Sequence, residues 1–454
     1  MDKLHEECGV FGIFDMTRDD VAQTAYYGLV SLQHRGQESC GIAVNKDRDI
    51  YHYKDLGLVN DVFNNKILDS LQGNMAVGHV RYGTTGGKGR ENAQPLVLRY
   101  LKGNLAIVHN GNLRNTDELK TEYERTGAIY QTTSDTEIVA YTIARQRAQS
   151  KSIEEAIERS MSILKGAYSL IVMSPQKLIA AKDPWGFRPL CMGKLNDGYV
   201  FASESCAFDA IGAEYIRELE PGEIVIADKN GIREIKAACG REKEKLCIFE
   251  YIYFSRPDSK IGGQLVYESR KLAGRILAKE HPVEADIVFG VPDSGVASGM
   301  GYSVESGIPY EDGFVKSRYI GRTFIKPNQI DREIGVRMKL NPLKTNIEGK
   351  RVVMVDDSIV RGTTCAIIVK LLRKAGAKEV HVRISSPPFL WPCYFGTDIP
   401  SRDALIANKL SLEEIRKFID ADSLGYLSIE NLNAIVPNSD RTFCNACFTG
   451  DYAI

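Results

Sequence analysis

The chain has 454 residues, a formal net charge of -1 and ten cysteines. This length exceeds what one hydrophobic core supports and predicts two or three domains. Because a near-neutral chain has no overall field to attract nucleic acid or a membrane surface, we expect neither as a partner. The sequence has no run of eighteen apolar residues, and residues 1–7 lack the hydrophobic segment of a secretory signal. We therefore expect a cytoplasmic protein, in which structural disulfides are rare.

The two halves of the chain differ in their hydrophobic pattern. The first half has strand-length apolar runs at 9–14, 75–80, 105–109 and 169–173, with helical patterns at 137–147 and 153–164. This mixture predicts sheets packed face to face with helices outside. In the second half, strand patterns at 286–291, 352–355 and 379–384 alternate with helical patterns at 295–304 and 363–374, which predicts a parallel sheet with crossover helices. The charged stretch Arg241–Lys245 is the expected boundary.

Cys8 stands directly before a predicted strand, where it is either a buried packing residue or a nucleophile. Three later segments favour the nucleophile. Arg81 lies among glycines, where a guanidinium can bind a carboxylate with two parallel hydrogen bonds. Asn110 and Gly111 follow a strand, and an amide side chain with a backbone N–H suits a developing oxyanion. Asp135 lies at a helix start, as an N-cap or as the anion that binds a substrate ammonium.

The most specific string is 352–364, in which an apolar strand leads to two adjacent acids, a loop with glycine and hydroxyls, and a helix. N–H groups at a helix start bind phosphate, and paired acids suit sugar hydroxyls and magnesium. The alternative, an ordinary strand-to-helix turn with an Asp cap, does not require the full pattern. The expected binding residues are Asp356, Asp357, Ser358, Arg361, Gly362, Thr363 and Thr364.

Two further segments suit a pyrophosphate group. The loop Val291–Gly295 also joins a predicted strand to a helix, with Ser294 as a candidate magnesium ligand. The segment 316–339 holds seven basic residues against two acids. It is either a solvated loop or a mobile basic lid, and its local positive excess favours the lid, with Lys326 as a candidate contact.

The cysteines fall into three groups. Cys40, Cys191, Cys206 and Cys365 lie among apolar or small residues and are predicted to be packing residues, whereas Cys239 is undecided. Cys444 and Cys447 form a CxxC pair without the strand and long helix of a thioredoxin-type site. With the distant Cys247 and Cys393 they make four thiolates that can bind zinc or an iron–sulfur cluster, and spacing does not decide between these.

These motifs resemble known families. The segments around Cys8, Arg81, Asn110 and Asp135, with 33–39 and 183–190, resemble the glutaminase domain of the N-terminal-nucleophile amidotransferases. The string 352–364 resembles the phosphoribosyl pyrophosphate motif of type I phosphoribosyltransferases. Nearly the whole chain is similar to the glutamine phosphoribosylpyrophosphate amidotransferases. Segments 250–258 and 396–401 resemble their subgroup with a propeptide and a 4Fe-4S cluster.

The resemblance implies a propeptide at 1–7, a glutaminase domain at 8–241 and a phosphoribosyltransferase domain at 242–454 with a C-terminal cluster arm. It implies that Cys8 attacks glutamine, Asn110 and Gly111 form the oxyanion hole, Arg81 and Asp135 bind the amino-acid end, and Arg35 supports the site. A free α-amine on Cys8, which requires removal of residues 1–7, would then be the base. In the second site, Ser294, Asp356 and Asp357 are expected to hold magnesium. Asp356 and Asp357 are also expected to hold the ribose of phosphoribosyl pyrophosphate, and the loop from Ser358 to Thr364 its 5′-phosphate.

The implied reaction is the first step of de novo purine synthesis, giving 5-phosphoribosylamine. The resemblance further implies purine nucleotides as feedback inhibitors, a homotetramer, and a 4Fe-4S cluster on Cys247, Cys393, Cys444 and Cys447. Two rival functions are a hexosamine-forming amidotransferase and a non-catalytic phosphoribosyl pyrophosphate sensor that controls transcription. The motif at 356–364 argues against the first, and the second has no use for Cys8 or Arg81.

Overall fold

The computed structural model describes residues 8–83, 87, 89–317, 338–397, 399, 401–437, 439 and 441–454. The predicted propeptide 1–7 and most of the predicted lid, including Lys326, lie outside the described residues. In the described part of the chain, no helix has both the length and the apolar character needed to cross a membrane.

The secondary structure changes character near residue 240. The strands are β1 Gly9–Phe14, β2 Ser39–Lys46, β3 Asp49–Leu56, β4 Met75–Arg81, β5 Leu96–Tyr100, β6 Gly103–Leu113, β7 Gly166–Met173, β8 Leu178–Lys182, β9 Cys191–Leu195, β10 Gly198–Ala202, β11 Glu214–Glu218, β12 Ile224–Asp228, β13 Gly231–Ile235, β14 Leu246–Cys247, β15 Lys260–Ile261, β16 Gln264–Leu265, β17 Ile287–Gly290, β18 Phe314–Lys316, β19 Leu340–Pro342, β20 Arg351–Asp356, β21 Glu379–Ile384, β22 Ser423–Tyr426 and β23 Phe443–Cys444. The described α-helices are α1 Val21–Ser31, α2 Val59–Val62, α3 Asn65–Ser70, α4 Thr116–Arg125, α5 Asp135–Gln149, α6 Ile153–Ser160, α7 Cys206–Ile211, α8 Val266–Glu280, α9 Gly295–Ser306, α10 Lys344–Ile347, α11 Thr363–Lys374, α12 Leu412–Phe418 and α13 Ala446–Thr449.

The first half forms two antiparallel sheets packed face to face. One has the strand order β11-β9-β10-β1-β4-β2-β3, and the other has the order β13-β12-β8-β7-β6-β5. The alternation of side chains along β1 explains the layers, because successive residues point to opposite faces. Val10 and Phe14 are buried between the sheets, whereas Phe11 and Ile13 are buried beneath α1. The predicted sandwich with outer helices is confirmed.

The second half forms a four-stranded sheet with the order β17-β20-β21-β22, in which every neighbouring pair is parallel. Val353 and Val355 face the core beneath α8, and Val352 and Met354 face the core beneath α11. Burial on both faces accounts for the continuous apolar run that predicted this strand. The predicted parallel sheet with crossover helices is confirmed.

Element bounds differ from the prediction in one instructive place. The helical pattern at 153–164 ends as helix α6 at Ser160, and the chain then turns, with the Leu164 N–H donating to the Ser160 carbonyl oxygen. Met161 and Leu164 are nevertheless buried, as the pattern requires. The turn is needed because β7 begins at Gly166 and must run antiparallel to β6.

The charged stretch Arg241–Lys245 lies between β13, the last strand of the sandwich, and β14. Strand β14 pairs in parallel with β23 near the C-terminal end, so Cys247 lies opposite Cys444. The chain therefore returns to the junction of the two halves in its last segment.

Candidate active sites

Cys8 lies at the start of β1, where pairing of Gly9 with Val80 places it beside the end of β4, at Arg81. The Cys8 side chain is partly exposed, and its Sγ lies 3.6 Å from the Tyr82 carbonyl oxygen, to which the thiol donates. The cysteines predicted to pack, such as Cys40, are instead buried. Cys239 is partly exposed. The packing alternative therefore describes Cys8 poorly.

Asn110 and Gly111, which were expected to follow a strand, lie within β6, because this strand continues to Leu113 in its pairing with β7. Strand β6 brings both residues to the same edge of the sandwich. The His79 ring nitrogen Nε2 lies 3.0 Å from the His109 carbonyl oxygen, which ties β4 of one sheet to β6 of the other. The Nδ2 amide of Asn110 is buried and has no hydrogen-bond partner among the described residues. Because an unpartnered buried donor costs about 1–3 kcal/mol, this amide is suited to a ligand that accepts its hydrogen bond.

Glycine is the only residue type that fits the backbone at position 111. Its φ is +144°, and a Cβ there would lie 2.1 Å from the Ala167 carbonyl oxygen of the neighbouring strand. A side chain would therefore push β6 away from β7 and displace Asn110 with it.

Asp135 is the first residue of α5 but does not cap it, because Ser134 is the N-cap and its hydroxyl accepts from the Thr136 N–H. The buried Asp135 carboxylate instead accepts from the Leu113 N–H at 3.1 Å and lies 3.6 Å from His109 Nδ1. Burial alone would raise the pKa of Asp135, but His109, the Leu113 N–H and Arg81 lower it below its usual value. An ionised carboxylate thus lies near the end of β6.

A set of residues that the sequence did not reveal connects Arg81 to the segment before Asp135. Arg81 Nη1 donates to the Gly87 carbonyl oxygen at 3.2 Å, and the Asn92 side chain donates to the same oxygen at 3.0 Å. The Asn92 Oδ1 also accepts from the Thr133 N–H at 2.9 Å. Asn92 ends a short 3-10 helix, Arg90–Asn92, and Thr133 lies 41 positions away, so no local signal identified it.

The second site lies at the carboxyl ends of β17 and β20, which are neighbours in the parallel sheet. Asp356 and Asp357 are both buried there. Ser294, the N-cap residue of α9, donates to Asp357 Oδ2 at 2.5 Å, and the Ser358 hydroxyl donates to Asp357 Oδ1. The structure therefore brings together the acids and the serine that the sequence placed in two separate loops.

The loop after these acids leads into the N-terminus of α11. Gly362 is its N-cap residue with a φ of +82°, and a Cβ there would lie 2.7 Å from Ile406 Cδ1. Arg361 and Thr363 are exposed, and Thr364 is partly exposed. The positive end of an α-helix with accessible hydroxyls beside buried acids is an arrangement suited to a phosphorylated sugar.

The base of the predicted lid lies against this site. Strands β18 and β19 form an antiparallel ribbon, and Lys316 at the end of β18 contacts the Asp293 carboxylate, next to Ser294. Residues 318–337, including Lys326, lie outside the described residues.

Four thiols line a third site, a small cavity at the junction of the two halves, although they come from distant chain segments. Most of its wall is aromatic or aliphatic. The thiols belong to Cys247, Cys393, Cys444 and Cys447. Burial raises the pKa of Cys444 to about 11. Among the described residues, no three His, Cys, Asp or Glu side chains are gathered closely enough to hold a single metal ion.

Asp183 organises one wall of this cavity. Its carboxylate accepts from the Trp185 and Gly186 N–H groups at 3.0 and 2.7 Å. The turn that it holds places the Phe187 ring on the Phe395 ring, with 4.1 Å between centroids. The motif at 183–190 thus supports the wall of the cysteine cavity.

An amidotransferase-type nucleophile site and a phosphate-type site on a parallel sheet, in one chain, define the class as a glutamine amidotransferase joined to a phosphoribosyltransferase. Residues 80–210 match the glutamine amidotransferase domain family, and residues 261–385 match the phosphoribosyl transferase domain family. The chain is 48% identical to the amidophosphoribosyltransferase of Methanocaldococcus jannaschii, over 98% of this chain and 97% of that protein. It is 50% identical to that of Bacillus subtilis, over 99% of this chain and 94% of that protein. The chain belongs to the amidophosphoribosyltransferase family.

Solved structures agree in fold and sequence. One, described as the allosteric regulatory enzyme of purine biosynthesis, aligns with a TM-score of 0.92 and 50% identity, covering 98% of this chain and 96% of that one. The B. subtilis glutamine phosphoribosylpyrophosphate amidotransferase complexed with ADP and GMP aligns with a TM-score of 0.91 and 49% identity, covering 98% and 97%. The family resemblance and the fold expected from the sequence are both confirmed.

Proposed function

We propose that this chain, as an amidophosphoribosyltransferase, hydrolyses glutamine at Cys8 and transfers the ammonia to phosphoribosyl pyrophosphate. The products are glutamate, pyrophosphate and 5-phosphoribosylamine, the first intermediate of purine synthesis. The observation that carries the glutaminase assignment is the buried Asn110 amide, which has no hydrogen-bond partner among the described residues. It lies on β6, which a hydrogen bond ties to β4, the strand that ends at Arg81.

In the first half-reaction, the Cys8 thiolate attacks the side-chain amide of glutamine. Asn110 Nδ2 and the Gly111 N–H stabilise the oxyanion. Preorganised hydrogen-bond donors to such a developing charge usually make the largest single contribution to catalysis. Arg81 binds the α-carboxylate and the ionised Asp135 binds the α-ammonium group. Ammonia leaves, and water then hydrolyses the thioester to release glutamate.

We propose the free α-amine of Cys8 as the base for this chemistry. An α-amine has a pKa of about 7.7–8.0, so it can accept the thiol proton and return it to departing ammonia near neutral pH. The same nitrogen in an amide has no useful basicity. Residues 1–7 are therefore a propeptide whose removal creates the active site, and we place the domain division at 8–241 and 242–454.

In the second half-reaction, the ribose hydroxyls bind Asp356 and Asp357, and the 5′-phosphate binds the loop from Ser358 to Thr364 at the start of α11. The oxygen donors of Ser294, Asp356 and Asp357 fit Mg²⁺, which prefers carboxylate and substrate oxygens. When bound, magnesium neutralises the developing charge on pyrophosphate. The proposed phosphate-binding residues also include Arg361 and Lys326, whose positive charges suit the phosphate groups. Ammonia then attacks the ribose carbon as pyrophosphate departs.

We propose that Cys247, Cys393, Cys444 and Cys447 hold a 4Fe-4S cluster. Its support is a donor set of four thiols that share one mostly apolar cavity. When bound, the cluster ties the C-terminal segment to the junction of the two halves, because metal binding and folding are linked. Zinc, the alternative metal, is distinguished by analysis of iron and acid-labile sulfide in anaerobically purified protein.

We further propose a cytoplasmic homotetramer that purine nucleotides inhibit. The support for nucleotide inhibition is the B. subtilis relative, which was solved with ADP and GMP.

The test is an assay with glutamine and phosphoribosyl pyrophosphate together. It measures the formation of phosphoribosylamine and the release of glutamate. Cys8→Ala should abolish the glutamine-dependent reaction and retain the ammonia-dependent one. Loss of both activities in the Ala variant, or glutamine-dependent activity retained in it, would contradict the assignment of Cys8.

A further inference from the structure

A buried cluster of charges joins the nucleophile to the second half of the chain. Arg35 is fully buried, and its Nε donates to the Cys8 carbonyl oxygen at 3.0 Å. Its two terminal nitrogens donate to the two carboxylate oxygens of Glu250 at 2.9 and 3.0 Å. Nη1 also donates to Glu204 at 2.6 Å. One guanidinium thus spans from the backbone of the nucleophile to a carboxylate that lies 242 positions along the chain.

Glu250 is held firmly at its own end. It begins the π-helical turn Glu250–Phe254, and its carboxylate also accepts from the Ser255 hydroxyl at 2.6 Å. Burial alone would raise the pKa of Glu250, but Arg35 and Arg188 lower it below its usual value. The carboxylate is therefore ionised, and its hydrogen bonds with Arg35 have a charged donor and a charged acceptor.

The turn that carries Glu250 is attached to the phosphoribosyltransferase half. Arg270 of α8 is buried, and it donates to the carbonyl oxygens of Tyr251, Tyr253 and Ser255 at 2.8, 2.9 and 2.6 Å. The Ser298 hydroxyl of α9 donates in turn to the Arg270 carbonyl oxygen at 3.0 Å. Helix α9 begins beside Ser294, at the second site. The position of Glu250 is therefore set by helices of the phosphoribosyltransferase half.

We infer that Glu250 is a positioning residue for glutamine hydrolysis, which acts by holding Arg35 against the carbonyl group of Cys8. The inference rests on the proposed role of Cys8. The carbonyl carbon of Cys8 is bonded to the α-carbon, which carries both the proposed basic amine and the side chain that ends in the thiol. Displacement of that carbonyl therefore displaces both reacting groups. Glu250 holds Arg35 in place from the half of the chain that does not bind glutamine. The glutaminase centre is thus complete only when the second half is folded against it.

The test compares Glu250→Gln with Glu223→Gln in the full-length enzyme with its metal groups bound. Glu223 is a matched control, because its fully buried carboxylate accepts from both terminal nitrogens of Arg217, at 2.8 and 2.7 Å, within the sandwich. We expect Glu250→Gln to lower kcat for glutamine hydrolysis about 10- to 100-fold, the effect of a small misplacement of reacting groups. The KM for glutamine should stay within about twofold because Arg81 and Asp135 bind the substrate.

Ammonia-dependent phosphoribosylamine synthesis by Glu250→Gln should remain near that of the parent. Glu223→Gln should keep both activities while it lowers the melting temperature. Glu250→Asp, which keeps the charge on a shorter side chain, should have an intermediate kcat. The inference is overturned if Glu250→Gln keeps the parent kcat for glutamine, or if its two activities fall in parallel.

If Glu250→Gln does not fold, Glu250→Asp against the parent decides: a lower kcat for glutamine with an unchanged KM supports the inference. A parent-like kcat with a lower melting temperature overturns it. A parent enzyme that does not hydrolyse glutamine at all would instead contradict the proposed function, so the two failures are distinguishable.

Discussion

The Asn110→Ala substitution separates catalysis from stability at the proposed oxyanion hole. Removing one oxyanion donor costs about 2.7–4 kcal/mol of transition-state stabilisation, so kcat for glutamine hydrolysis should fall on the order of 100- to 1000-fold. Stability should change little for a structural reason. The buried Asn110 Nδ2 has no partner among the described residues, and its removal relieves a cost of about 1–3 kcal/mol while it leaves a small cavity.

These two contributions to stability oppose each other, so the net change in the free energy of unfolding should be about 1 kcal/mol or less. A change of that size moves the melting temperature of a domain this large by about 2–4 °C. The assay measures glutamate release at varied glutamine, ammonia-dependent synthesis, and thermal unfolding. The KM for glutamine should be unchanged, because Arg81 and Asp135 bind the other end of the substrate, and ammonia-dependent synthesis should be unchanged.

Asn45→Ala is the matched control. Asn45 is also buried, and its Nδ2 also lacks a partner among the described residues, but it lies at the far end of β2 from Cys8. It should show a similar effect on stability and no effect on kcat. The reasoning is refuted if Asn110→Ala retains kcat within about threefold of the parent, or if Asn45→Ala loses as much glutamine-dependent activity.

Four further outcomes are expected. The double variant Asp356→Asn, Asp357→Asn should lose synthesis with either glutamine or ammonia, measured as phosphoribosylamine, and survival of the ammonia reaction would contradict the second site. Cys444→Ser should yield colourless, unstable protein, while anaerobic parent protein should contain iron and sulfide by chemical analysis; stoichiometric zinc in active parent would argue against a cluster. Intact mass of active enzyme should correspond to a chain beginning at Cys8, and full glutamine-dependent activity in unprocessed protein would exclude the α-amine as base. The folded-state pKa values of Glu204 and Glu250 are lowered. The stability that these two carboxylates contribute should therefore be complete above about pH 5 and be lost as the pH falls further. A melting temperature that stays constant from about pH 5 to about pH 3 would contradict this.

Local patterns in the sequence were enough to predict the fold class and the first and last residues of several elements. The amphipathic pattern at 363–374 and the apolar run at 379–384 coincide with α11 and β21, and the strand pattern at 9–14 coincides with β1. Such elements are predictable because hydrophobic periodicity is a property of neighbouring residues. The motif residues also stand on local features, at strand ends and helix starts.

Only the tertiary structure decides that Asp135 does not cap helix α5. Sequence alone left it as a helix cap or as an anion for a substrate ammonium, and both fit an acid at the start of a helix. In the structure Ser134 caps α5, and the Asp135 carboxylate contacts the Leu113 N–H and His109, both of which belong to β6. Local spacing could not make this distinction because the deciding partners are brought together only when β6 and α5 pack.

The sequence by itself therefore determined the two fold classes, their order, and the identity of the chemical groups at each loop, because these depend on residues close together along the chain. Only the tertiary structure decided that four distant cysteines share one cavity, that Asn92 joins Arg81 to Thr133, and that Arg35 connects Cys8 to Glu250. The contacts of Asn92 with Thr133, and of Arg35 with Cys8 and Glu250, join residues that are 41, 27 and 215 positions apart. Such contacts are selected by how whole sheets and helices pack, and they leave no periodic trace in the chain.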